Sequence, residues 1–144
     1  MIVITNYDSF ISNFSSLSKR ILLIDDEPDV RRVVQTCLEK LAHWTTISAA
    51  SGAEGLLKAY TEKPDAIVLD IMMPEMNGYM FLDALLAKPE TRSIPVVFLT
   101  AKADLSELRE YEELGVKGTI SKPFNPLTLH REIATVLNWD LDNQ

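Results

Sequence analysis

The chain has 144 residues, 47% of them hydrophobic and 24% charged, with a formal net charge of −7. That is enough apolar material for one globular core, and the acidic balance without clustered Lys or Arg argues against a broad footprint for nucleic acid or an anionic membrane surface. Cys37 is the only cysteine, which rules out an internal disulfide, and no Cys/His spacing fits a zinc site.

The opening MIVITNYDSF has no basic n-region and only a short apolar start, and no later run approaches the ~20 apolar residues of a membrane span. The expectation is a soluble, unexported chain in a reducing cytoplasm. From residue 21 a regular alternation begins. ILLI leads into Asp25-Asp26-Glu27, and Pro28 sits where a helix can start. Val30, Val33, Val34, Cys37, Leu38 and Leu41 then recur at helical spacing, with Arg31, Arg32, Gln35, Glu39 and Lys40 on the other faces. Cys37 therefore reads as inert core. The pattern repeats as TTISA with a helix over about 52–61, AIVLD with one over about 79–88, PVVFLT with one over about 105–114, and GTI with one over about 126–138. His43 near a helix end and His130 on an amphipathic helix read as surface or boundary positions without a catalytic role. Five strand-helix pairs with near-continuous apolar strands predict a parallel sheet covered by helices on both faces.

In such sheets, sites form beyond the carboxyl ends of the strands, where the strand order reverses. Asp25 and Asp26 end the first strand, Asp70 the third and Thr100 the fourth, while Ser121-Lys122-Pro123 follows the fifth. A carboxylate at Asp70, directly after the apolar run AIVL, is costly unless something pairs with it. If Asp25, Asp26 and Asp70 converge, they repel one another until a hard cation with oxygen preference sits among them, and Mg²⁺ suits a site that also binds phosphate. Taken alone, Asp25-Asp26-Glu27 would read as helix capping and dipole complementation. The matching polar residues at the other strand ends make the convergent reading the stronger one. Met72, Met73 and Met76 read as packing residues, Pro74 stops strand pairing, and Asn77-Gly78 is a turn dipeptide before the next helix.

ILLIDDEPDV, AIVLDIMMPEMNG, VVFLTA and ISKPF resemble, in order, the four signature segments of response-regulator receiver domains of two-component signalling. The resemblance spans about residues 20–138 and implies a flavodoxin-like, doubly wound α/β fold, with a five-stranded parallel sheet of order 2-1-3-4-5. It implies that Asp26 and Asp70 ligate Mg²⁺, with Asp25 acting through water and the Met72 carbonyl completing the protein share. Asp70 is then the nucleophile that takes a phosphoryl group from a kinase histidine and becomes an aspartyl phosphate. Lys122 offsets charge on the phosphoryl oxygens and Thr100 donates a hydrogen bond to them. The implied partners are a sensor histidine kinase or a histidine phosphotransfer protein, docking on the first helix, and a downstream protein target. The chain would be a self-phosphorylating and self-dephosphorylating phosphoacceptor, cytoplasmic, without direct nucleic-acid or membrane contact. The Lys122-Pro123 bond is expected to be cis, and Met72 and Lys102 occupy positions that tune the phosphoryl lifetime.

One position departs from the family pattern. Thr119 stands three residues before the lysine, where an aromatic residue usually reports the phosphorylation state. The candidate output face carries Glu107, Arg109, Glu110, Tyr111, Glu112 and Glu113 on an acidic helix that Asp104 and Glu107 would cap.

The expected organisation is an N-terminal appendage over 1–19, a receiver domain over 20–140 and a polar tail over 141–144, of stand-alone type, signalling by protein contact or phosphorelay. NYDSF resembles the opening of class I glutamine amidotransferase domains, but no cysteine elbow follows it. Two rivals share parts of the chemistry: a non-phosphorylated pseudo-receiver binding module and a haloacid-dehalogenase-type phosphohydrolase. The latter begins its nucleophile motif on the first strand, whereas here the paired aspartates come first and Asp70 stands alone.

Overall fold

The computed structural model describes residues 18–101 and 105–141. The segment before residue 18, Lys102, the Asp104 cap and the side chain of Glu107 lie outside the described residues. Strands β1 (Arg20–Ile24), β2 (Thr45–Ala49), β3 (Ala66–Leu69), β4 (Val96–Thr100) and β5 (Val116–Ser121) alternate with helices α1 (Pro28–Leu41), α2 (Gly52–Glu62), α3 (Gly78–Leu86), α4 (Leu105–Glu113) and α5 (Leu129–Leu137). All strand pairs are parallel, in the order β2-β1-β3-β4-β5. The parallel pairing is what the apolar strand runs predict, and the strand order is the one that the family resemblance implies.

Every residue of β3 and β4 is buried. Alternate strand residues feed two cores, one on each face of the sheet. Leu23, Val68 and Leu99 pack with α1 and α5 through Val34, Leu38 and Ile133. Ile24, Leu69 and Phe98 pack on the other face with Ala59, Phe81, Leu82 and Tyr111. Each fully buried aliphatic side chain contributes about 1.5–3 kcal/mol of transfer free energy, so these two layers hold the strand ends where the site forms.

Local sequence explains the helix starts. Ser51 caps α2 by accepting from Glu54 N at 3.2 Å, while Glu54 Oε2 accepts in return from Ala50 N at 3.1 Å. Asn77 caps α3 by accepting from Met80 N at 3.0 Å, which fulfils the expected turn role of Asn77-Gly78. Gly55 lets α2 approach β1, since a Cβ there would lie 2.4 Å from Ile24 Cδ1.

Several expectations are corrected. Helix α5 starts at Leu129, not near 126, because Asn125 Oδ1 accepts from Leu127 N at 2.9 Å and folds 126–128 into a turn first. His130 is buried on the inner face of α5, between Leu129 and Ile133, and is not a boundary residue. Val33 and Leu41 are each 42% exposed, so the buried stripe of α1 narrows to Val34, Cys37 and Leu38. Met73 is buried and Met76 packs against the core, but Met72 is 63% exposed. Among the described residues, no helix is long and apolar enough to cross a membrane.

Candidate functional site

Sheet register assembles the site. Ile24 pairs with Leu69, so the residues that follow, Asp25 and Asp70, leave the carboxyl edge side by side, and Asp70 N donates to Ile24 O at 2.9 Å. Thr100 pairs with Ser121, and Lys122 N donates to Thr100 O at 2.8 Å, which ties the fourth and fifth strand ends together. The Lys122-Pro123 bond is cis, as expected.

Asp25, Asp26, Glu27 and Asp70 each place a carboxylate oxygen within 4.8 Å of the others. Asp25 and Asp70 are 1% and 4% exposed, and Thr100 is fully buried. Lys122 Nζ reaches into the group, donating to Asp25 Oδ2 at 2.7 Å and Asp70 Oδ2 at 3.4 Å. Met72 joins through its backbone, its N–H donating to Asp70 Oδ1 at 3.0 Å. The predicted residues Asp25, Asp26, Asp70, Met72, Thr100 and Lys122 thus all gather at one edge.

Burial pushes the Asp70 carboxyl above its ordinary range; the Met72 N–H and the Lys122 ammonium pull it back, and the Asp25 charge adds to the rise. For Lys122, burial alone would lower the pKa, but Asp25 and then Asp70 outweigh it and hold the ammonium above its usual value. Among the described residues, Lys122 therefore lies within 4 Å of three of the four clustered carboxylates, those of Asp25, Glu27 and Asp70. Among the described residues the cluster offers carboxylate oxygens without thiol or imidazole, a donor set that fits a hard cation such as Mg²⁺.

Two residues escaped the sequence reading. Glu27 reads as part of a helix start, yet its carboxylate joins the cluster. Arg31 reads as a solvated face of α1, yet its Nη1 donates to Asp25 O at 2.6 Å and holds the β1–α1 turn. The i, i+6 separation of Arg31 from Asp25 is no helix-pair spacing, so periodicity carries no signal for it.

Two clefts flank the cluster and share Asp26. One, of about 330 Å³, runs between the start of α2 and the loop after β3, along Ser51, Gly52, Met73 and Met76. The other, of about 540 Å³, runs past Met72 and Asn77 to Tyr79 and Tyr111. Tyr111, placed on the acidic output helix by sequence, is buried: it meets Phe98 edge-on at 4.6 Å between ring centroids and lies against Tyr79 at 4.2 Å. Tyr79 Oη in turn hydrogen-bonds Glu110 Oε2. The Thr119 hydroxyl is buried without a hydrogen-bond partner.

The family model described as the response regulator receiver domain matches residues 21–134. The chain is 39% identical over 119 residues to a "Probable transcriptional regulator ycf27" of Porphyridium aerugineum, covering 83% of this chain and 48% of that protein. It is 34% identical over 118 residues to "Protein PilH" of Pseudomonas aeruginosa, covering 82% and 97% of the two chains. It thus spans about half the length of the first of these relatives and nearly all of the second. Among solved structures, the chemotaxis protein CheY4 of Vibrio cholerae superposes with a TM-score of 0.76 at 31% identity, over 83% of this chain and 98% of that one.

Proposed function

The chain belongs to the response regulator receiver domain family, and from that membership we propose that it accepts a phosphoryl group on Asp70 from a phosphohistidine of a sensor kinase or phosphotransfer protein. The observation that carries the reading is the convergence of Asp25, Asp26 and Asp70, with Lys122 paired to Asp25 and Asp70, since a lone buried carboxylate would neutralise itself rather than act as a nucleophile.

In this reading Asp26, Asp70 and the Met72 carbonyl would hold Mg²⁺, with Asp25 assisting as the other member of the acidic pair. The ion supplies charge neutralisation for the incoming phosphoryl oxygens. The Asp70 oxygen forms a bond to phosphorus as the bond from phosphorus to the donor imidazole nitrogen breaks, and the imidazole, already protonated on its other ring nitrogen, leaves neutral. Lys122 then exchanges its contact with Asp70 for one with a phosphoryl oxygen, and Thr100 donates to another. Water later attacks phosphorus, the Asp70 O–P bond breaks and inorganic phosphate leaves as the carboxylate is restored, so the chain serves as phosphoacceptor and its own phosphatase rather than as a turnover enzyme.

The functional unit in this proposal is the receiver over 20–140, with residues 1–19 and 141–144 as flanking segments. It works in the cytoplasm, docks its phosphodonor on α1 and signals by protein contact or phosphorelay without contacting nucleic acid itself. Thr119 cannot act as the aromatic reporter, so either another group reports the state or the output face changes little.

Intact mass after incubation with Mg²⁺ and acetyl phosphate tests the proposal. The chain is expected to gain one phosphoryl group and Asp70→Asn none. Uptake by neither acetyl phosphate nor phosphorylated kinase would leave the pseudo-receiver reading, and steady turnover of phosphomonoesters would favour the phosphohydrolase.

A further inference from the structure

Glu27 is the N-cap of α1, with extended backbone, and its side chain makes no capping hydrogen bond. N-caps favour Asp, Asn, Ser or Thr because their short side chains reach the free N–H groups of the first turn. The helix dipole favours a negative charge at this end, but it does not account for where this side chain lies. Its backbone N–H instead donates to Asp25 Oδ1 at 2.9 Å, which turns the residue toward the acidic pocket. There its carboxylate lies 3.8 Å from Lys122 Nζ and within the 4.8 Å cluster of Asp25, Asp26 and Asp70.

The side chain is 62% exposed, so Glu27 sits at the mouth of the pocket. Lys122 is already held by Asp25 at 2.7 Å, so Glu27 is not needed to pair it. In the absence of a further cation, Glu27 adds repulsion to a group that already carries excess negative charge. We propose that Glu27 is the fourth carboxylate of the cation pocket and strengthens Mg²⁺ binding through its charge. This rests on the proposed reading of the pocket as a metal site. A screened, exposed charge a few ångströms from a divalent ion is worth about three- to tenfold in affinity.

Calorimetric titration of the full chain with MgCl₂ alone, at low ionic strength, tests the inference. Asp29→Asn is the control, because Asp29 lies two residues further on, is 92% exposed and pairs only loosely with Arg32 at 3.7 Å. Glu27→Gln is expected to weaken Mg²⁺ binding about three- to tenfold, with Asp29→Asn and the charge-conserving Glu27→Asp each within about twofold of the parent. Equal affinities for Glu27→Gln and Asp29→Asn would overturn the inference while leaving the metal pocket standing. A Glu27→Asp loss as large as that of Glu27→Gln would show that shape rather than charge matters, which also overturns it. A parent chain that takes up no Mg²⁺ would overturn the metal pocket itself and this inference with it.

Discussion

Lys122 Nζ stands 2.7 Å from Asp25 Oδ2, joining the ends of the fifth and first strands through two side chains that are 14% and 1% exposed. The same ammonium lies 3.4 Å from Asp70. Removing one partner of a buried pair leaves the other charge uncompensated, which costs far more than the pair contributes when intact. Lys122→Met is therefore expected to destabilise the Mg²⁺-free protein by about 3 kcal/mol in urea unfolding, and added Mg²⁺ should recover part of that loss. A cost below about 1 kcal/mol would place this pair with ordinary surface ion pairs.

Asp70 makes stability depend on pH in a direction opposite to most paired carboxylates. Its folded pKa is raised above the ordinary 3.8, chiefly by burial, so its contribution is fully present below that value and is lost as pH climbs through the raised folded pKa. Lys122 titrates far above this window, since its pKa is raised from 10.5. In Mg²⁺-free buffer, Asp70→Asn should gain stability relative to the parent as pH rises from about 4 toward 7. Denaturant midpoints across that range check this, and a constant difference between the two chains would contradict it.

His130 behaves in the opposite sense. It is buried, its Nδ1 has no hydrogen-bond partner, and burial followed by the neighbouring Arg131 lowers its pKa from 6.5. Its contribution is present above 6.5 and is lost as pH falls through the depressed folded pKa. His130→Leu removes that titration and an unsatisfied polar atom together. Thermal unfolding at pH 7.5 and pH 5 should show the parent losing more stability than the variant on acidification.

Tyr111 fastens α4 to the sheet through its edge-on contact with Phe98 and its stack on Tyr79. Truncating a buried aromatic costs its transfer free energy, the aromatic contacts and a cavity, so Tyr111→Ala should destabilise the protein by about 3 kcal/mol. A loss under about 1 kcal/mol would mean that α4 holds its place without this side chain.

The strands and the site edge were legible because both follow from simple patterns. ILLI, AIVL and VVFLT are buried runs of strand length, and Asp25, Asp70, Thr100 and Lys122 each lie at or just beyond a strand end, where parallel sheets place their sites. Residues that face two ways were not legible. Tyr111 sits among Glu110, Glu112 and Glu113, so its neighbours in sequence advertise solvent while its ring turns inward to Phe98. Periodicity alone gave His130 no burial, because a histidine on an amphipathic helix fits the boundary as well as the core. The late start of α5 depends on one Asn125 side-chain bond to Leu127 N, a local choice that hydrophobic spacing cannot express. Glu27 and Arg31 meet the pocket through contacts with Asp25 and Lys122, which hydrophobic periodicity does not express.

The central claim is that Asp70 is the phosphoryl acceptor, and the most direct test is its chemical location. After phosphorylation in Mg²⁺, borohydride reduction converts an aspartyl phosphate to homoserine, which peptide mass mapping places at a single position. The account predicts homoserine at position 70 and nowhere else. Homoserine at Asp25 or Asp26, or phosphate retained on a residue that borohydride leaves unchanged, would contradict it.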